Sequence, residues 1–147
     1  MRTKPLTQTG ITSTSSGVLY YVDSYQRIHQ LFWGGTRWLD ADLMSSSGSG
    51  YNVAPGSGVA VDANGILYYV DTAGDVHQMY WGGTKFMDAD FMTSSGSGVK
   101  VQAGTGVSVD ANGNVYYVST GQTVHQMWWG GTQMLDADLM ASSGSGV

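Results

Sequence analysis

Apolar and polar residues alternate in short runs along this chain, and glycines interrupt the runs before any helical spacing can build up. In the middle of the chain the pattern predicts four strands, over Gly58 to Asp62, Ile66 to Asp71, Val76 to Trp81 and Phe86 to Phe91. Asn64-Gly65 between the first two is a tight-hairpin signal, read here as a turn whose two central residues both take positive φ. Ala73-Gly74 and Gly82-Gly83 supply the next two turns, and Thr93 to Gly98 reads as a flexible crossover. No stretch is expected to be helical. Tyr68-Tyr69-Val70 is apolar on both faces, as in a strand covered on both sides by neighbouring layers.

This four-strand plan occurs three times. His29-Gln30, His77-Gln78 and His125-Gln126 recur at a spacing of 48 residues. Trp33-Gly34-Gly35-Thr36, Trp81-Gly82-Gly83-Thr84 and Trp129-Gly130-Gly131-Thr132 keep the same step. So do Asp40-Ala41-Asp42, Asp88-Ala89-Asp90 and Asp136-Ala137-Asp138, and each repeat closes on Ser-Ser-Gly-Ser-Gly, from Ser46, Ser94 and Ser142. A step of this length marks a repeat architecture, here an all-β chain forming one repeat domain with blades of roughly 1–50, 51–98 and 99–147. The third repeat has Asn112-Gly113 as its hairpin, and the first has a weaker turn at Thr14 to Gly17.

Two folds use a unit of this size. A β-propeller arranges four-stranded blades radially, commonly four to eight of them, and a β-trefoil gathers three units around a barrel. The short links of this chain make a meander of adjacent antiparallel strands, which favours the propeller. Three blades are too few to close a ring, so the propeller reading carries an expectation of self-association, most simply a homodimer completing six blades.

Composition narrows the function. Eleven acidic against six basic residues give a net charge of −5, which argues against nucleic acid, whose phosphates are met by Lys and Arg. No apolar run approaches the roughly 18 residues of a membrane span, and the start, Met1-Arg2-Thr3-Lys4-Pro5, has no apolar core of a signal peptide. There is no cysteine, hence neither disulfide nor thiol chemistry, and no cofactor signature. The Asp-Ala-Asp pairs suit a solvated turn or edge strand better than calcium, which needs six to eight oxygens. Every polar candidate is copied three times, whereas catalysis needs an acid, a base and a nucleophile with different tasks, so an enzyme is not expected.

The candidate chemistry is recognition. Trp33, Trp81 and Trp129 beside Gly-Gly turns offer indole faces for the C–H patch of a sugar ring, or else packing between blades. His29, His77, His125, Gln30, Gln78 and Gln126 can donate and accept hydrogen bonds, although a histidine buried against a backbone carbonyl is the plainer role. Position 38, 86, 134 runs Trp, Phe, Met, which suits a packing role.

The stretch Val76 to Gly83, a large residue at Phe86 and Asp88-Ala89-Asp90-Phe91 resembles the blades of bacterial and fungal fucose-lectin-type propellers, three times over nearly the whole chain. Gly58 to Gly65 also resembles NHL-type propeller repeats. The lectin resemblance implies a sugar-binding propeller with shallow sites at blades or blade interfaces, and glycans as partners. It also places the family's acidic site residue on Gln30, Gln78 and Gln126, its arginine near Tyr20, Tyr68 and Tyr116, and its second tryptophan on Trp38. Neither charged partner is present here. A structural or protein-interaction propeller, including an engineered symmetric one without a sugar ligand, is the alternative.

Overall fold

The computed structural model describes residues 10–144. The lead from Met1 to Pro5 and the end of the last Ser-Ser-Gly-Ser-Gly run lie outside it. Three antiparallel sheets of four strands follow one another in chain order. The first holds β1 (Thr12–Ser13), β2 (Leu19–Val22), β3 (Ile28–Trp33) and β4 (Trp38–Asp42). The second holds β5 (Val59–Val61), β6 (Leu67–Val70), β7 (Val76–Trp81) and β8 (Phe86–Asp90), and the third β9 (Val107–Val109), β10 (Val115–Val118), β11 (Val124–Trp129) and β12 (Met134–Asp138). Each sheet is a meander whose neighbours in sequence are neighbours in space. The first strands of successive sheets approach one another, so the sheets radiate from a common inner side.

The strands expected from the alternation are present within a residue or two at each end, but the first hairpin differs in kind. Only Gly65 has positive φ, at 80°, and its amide donates to the Asp62 carbonyl at 3.1 Å. This is a three-residue loop ending in a left-handed glycine rather than a two-residue turn. Asp62 Oδ1 accepts the amides of Asn64 and Ile66, which holds the loop without asking Asn64 to leave its ordinary conformation. The Trp-Gly-Gly turns are steric. A Cβ on Gly82 would lie 2.6 Å from Met87 Cγ, and Gly83 has φ 100°.

The expectation of no helix is overturned. Each fourth strand runs straight into a short helix: α1 (Leu43–Ser47), α2 (Phe91–Ser95) and α3 (Leu139–Ser143). The last residue of each Asp-Ala-Asp is the N-cap, and Gly48, Gly96 or Gly144 closes the helix in the left-handed conformation. One turn of helix is too short to show a 3.6-residue period, so only its caps could have announced it. Asp90 Oδ1 accepts from Thr93 N at 3.0 Å. Asp90→Ala is expected to cost about 1 kcal/mol, seen as a lowered midpoint in urea denaturation.

The core lies between sheets. Leu67, Tyr69 and Met79 of the second sheet pack back toward Tyr20, Val22, Ile28, Leu43 and Met44. The alternate residues Tyr68, Val70 and Val76 pack forward with Phe91 and Met92 against Val115, Tyr117 and Met127. The middle sheet is therefore buried on both faces, as its apolar second strand implies. The crossovers stitch neighbours together, with Val53 N donating to Gln26 O and Ala54 N to Val70 O. Among the described residues no helix is long and apolar enough to cross a membrane.

Candidate functional site

The repeated histidines are buried in carboxylate clamps, not against backbone carbonyls. Cross-strand pairing sets His77 beside Asp90 and Met79 beside Asp88. His77 Nδ1 lies 2.7 Å from Asp88 Oδ1, and Nε2 lies 2.8 Å from Asp71 Oδ2. Asp71 also accepts the amides of Ala73 and Asp75 with its other oxygen, so one carboxylate shapes the β6–β7 turn and holds the ring. Tyr69 stacks on His77 at 5.0 Å, donates its hydroxyl to Asp88, and Tyr51 lies over the ring at 4.3 Å. His29 is held the same way, by Asp40 at 2.6 Å and Asp23 at 2.7 Å. In the third sheet Ser119 stands where Asp23 and Asp71 stand, and His125 meets Asp136 at 2.8 Å and Thr123 Oγ1 at 3.2 Å.

Burial opposes charging of His77, yet the hydrogen bonds and charges of Asp88 and Asp71 outweigh it and raise its pKa above 6.5. His29 is raised for the same reasons, against the same desolvation, by Asp40 and Asp23. Burial and the Asp88 bond together push the Tyr69 phenol far above its ordinary range. Both nitrogens of His29 and His77 are thus engaged by carboxylates, which leaves neither ring free to act as a general base. The first aspartate of each Asp-Ala-Asp is part of this clamp and the second is a helix cap, so the expected solvated-edge role is corrected. The clamp's second carboxylate was missed in the sequence. Its signal was an aspartate six residues before the histidine, as in Asp23 and His29 or Asp71 and His77.

Trp81, Trp129, Gln30 and Gln78 lie elsewhere, along clefts between sheets, while Trp33 and Gln126 line neither of the two clefts described next. Between the second and third sheets a cleft of about 600 Å³ is lined by Gln78, Tyr80, Trp81 and Phe91 on one side and Trp129 and Met134 on the other. Its counterpart between the first and second sheets, of about 380 Å³, has Tyr20 and Gln30 facing Trp81 and Phe86. None of the residues lining either cleft is charged, and none of the three histidines lines them. Trp33, Trp81 and Trp129 are 56%, 58% and 61% exposed, so packing between blades does not use them. Gln30, Gln78 and Gln126 pair across the strands with Tyr20, Tyr68 and Tyr116 and donate their amides to those hydroxyls at 3.2, 3.4 and 3.0 Å. Tyr68 and Tyr116 in turn donate to Asp62 and Asp110. Burial, with its acidic neighbours, pushes the Tyr68 phenol up to about 12, so it stays a donor. This chain of bonds fixes each glutamine with its amide group engaged and its carbonyl oxygen left to accept. Tyr20 and Tyr68 are buried supports.

No protein-family model and no curated protein matches the sequence. Solved structures do. A mutant of Aleuria aurantia lectin in complex with alpha-methyl-L-fucoside superposes with a TM-score of 0.61 at 20% identity, over 87% of this chain and 44% of that chain. A further structure of the Aleuria lectin, described as a six-bladed β-propeller, gives 0.59 at 18% identity. The fold is a β-propeller. A fucose lectin from Kordia zhangzhouensis in complex with methyl-fucoside matches with a TM-score of 0.51 at 16% identity, over 88% of this chain and 96% of that one. The propeller described here spans less than half the length of the Aleuria chains it matches. Its three sheets are blades, β1, β5 and β9 being the inner strands, and the meander rules out the trefoil considered from sequence. Lectins use this fold, and the positions where the resemblance places a charged pair hold the Gln–Tyr pair instead.

Proposed function

We propose that this propeller binds neutral sugars in the clefts between neighbouring blades, and that two copies close a ring of six blades. One repeat domain of three blades supplies half of such a ring. The observation that carries the reading is the recurrence of a half-exposed tryptophan beside an oriented glutamine in an uncharged cleft. The indole offers a flat apolar face to the C–H side of a pyranose, and the glutamine carbonyl accepts a hydroxyl proton. An uncharged lining favours a neutral hexose or deoxyhexose over an acidic sugar, because a carboxylate would lose water there without gaining a cation. Weak, repeated sites gain strength together on a glycan-covered surface.

The solved neighbours support the reading, since the Aleuria and Kordia lectins hold methyl-fucoside on this fold. The test is calorimetric titration with the methyl glycosides of fucose, galactose, mannose and N-acetylglucosamine. Trp81 lines both clefts, so Trp81→Ala is expected to weaken whichever sugar binds by tenfold or more, with the circular dichroism unchanged. Silence of the parent protein toward all four glycosides, and on a broader glycan array, would end the lectin reading.

A further inference from the structure

The three glutamines lie with their amides toward tyrosine, but the residue behind the tyrosine differs between blades. The oxygen and nitrogen of an amide are alike in shape, so the surrounding hydrogen bonds decide which of them faces a ligand. In the second blade those bonds can run in one sense only. Asp62 Oδ2 accepts the Tyr68 hydroxyl at 3.1 Å, and a carboxylate oxygen can only accept. With its one proton spent, the Tyr68 oxygen is left to accept from Gln78, at 3.4 Å. Gln78 therefore keeps its nitrogen inward and its carbonyl oxygen toward the cleft. The third blade repeats the arrangement with Asp110, Tyr116 and Gln126, both bonds measuring 3.0 Å.

The first blade keeps the loop and changes the end of the chain of bonds. Thr14 stands where Asp62 and Asp110 stand in the other repeats. The two loops close alike, Gly17 N donating to Thr14 O and Gly65 N to Asp62 O, both at 3.1 Å. Thr14 Oγ1 takes the Val18 amide at 3.2 Å, as Asp62 Oδ1 takes that of Ile66 at 3.0 Å. Threonine has no second oxygen to offer the tyrosine, and its hydroxyl is shared with Ser16 Oγ at 2.9 Å. Among the described residues no carboxylate meets the Tyr20 hydroxyl, whose one hydrogen bond is to Gln30 at 3.2 Å. Its proton can turn toward Gln30, so that amide can reverse in place when a ligand requires it. The two glutamines open onto different clefts. Gln78 lines the larger with Trp129, and Gln30 the smaller with Trp81, where Thr14 and Tyr20 are also part of the wall. We propose that the residue opening each first hairpin, Asp62 or Thr14, sets the hydrogen-bond role that its cleft asks of a sugar. The cleft of Gln78 demands a hydroxyl that donates and discriminates against a group that can only accept, whereas the cleft of Gln30 takes either. The proposal rests on the lectin reading. Asp62 acts in it as a positioning residue, through Tyr68 and Gln78.

Two variants test it, Asp62→Thr and Thr14→Asp, each installing what another blade already carries in the same loop. The probes are the methyl glycosides of fucose, galactose, mannose and N-acetylglucosamine with their monodeoxyfluoro derivatives, in which fluorine remains a weak acceptor and the hydroxyl proton is gone. Titration followed by nuclear magnetic resonance reads each cleft through the side-chain amide of its own glutamine. At Gln78 one fluorine position should weaken binding about tenfold or more, because it leaves the carbonyl unmet, and at Gln30 the same derivative should cost about threefold at most. Asp62→Thr should bring the Gln78 penalty down to that of Gln30, and Thr14→Asp should raise the Gln30 penalty. An aspartate that merely holds the loop would weaken hydroxyl and fluoro sugars alike and leave their ratio where it was. Equal fluorine penalties at the two clefts of the parent protein, or a ratio that neither variant moves, would overturn the inference and leave the lectin reading in place. If no glycoside shifts either glutamine, the lectin reading itself falls and takes the role of Asp62 with it.

Discussion

Replacing His77 with alanine is expected to destabilise the protein by about 3–5 kcal/mol, because it strips the shared partner from two buried carboxylates. The ring has no solvent-accessible surface, and it bridges Asp71 and Asp88, whose side chains are nearly as well covered. Removing it leaves a cavity under Tyr69 and Tyr51 and two like charges facing each other across it. For a chain of this size the melting temperature should fall by about 10 °C or more. His125→Ala is the internal control. That ring meets one carboxylate and a threonine hydroxyl, so its loss should cost about 1–3 kcal/mol. Equal losses in chemical denaturation of the two variants would contradict the clamp as the source of the difference.

Stability should also fall as the solution becomes alkaline, through the same rings. His29 and His77 have folded pKa values raised above 6.5, their ordinary value. A raised folded pKa means that the native state binds the proton more tightly than the unfolded chain does. The contribution is complete below about pH 6.5 and is lost as pH climbs through the folded values. Each histidine can contribute a slope of at most about 1.4 kcal/mol per pH unit in that window. Denaturation midpoints collected from pH 6 to pH 9 should therefore decline. Asp71→Ser gives the second blade the residue that the third blade has, and it should flatten the decline. A profile rising over that range would show that the rings are held neutral instead.

Much of this architecture was legible because the repeat is strict. Alternation with frequent glycine marked the strands, the doubly apolar Tyr68-Tyr69-Val70 announced a sheet buried on both faces, and Trp-Gly-Gly fixed the site of the third turn. The misreadings share one physical cause: short polar residues have several local uses, and only three-dimensional partners choose among them. Asp88 and Asp90 look alike in sequence. Pleating points them to the same side of β8, yet one reaches a histidine on the neighbouring strand and the other caps a helix that begins at the next residue. Asn64-Gly65 suggested a two-residue turn, but Asp62 drew the loop's amides to itself and made a three-residue loop the better-satisfied arrangement. The histidines were read as buried against backbone carbonyls or as hydrogen-bonding groups for a ligand, but the partners they meet are carboxylates from another strand and from a turn.

By itself the sequence determined the unit, its threefold copying and its all-β class, because strand alternation, turn glycines and repeat spacing are local properties of the chain. Only the tertiary structure decided which copies are equivalent. Position 38 is a surface tryptophan while 86 and 134 are core, since burial depends on whether another blade's helix arrives to cover the strand. The same holds for the clefts, whose walls belong to two sheets at once and exist only when those sheets are packed side by side.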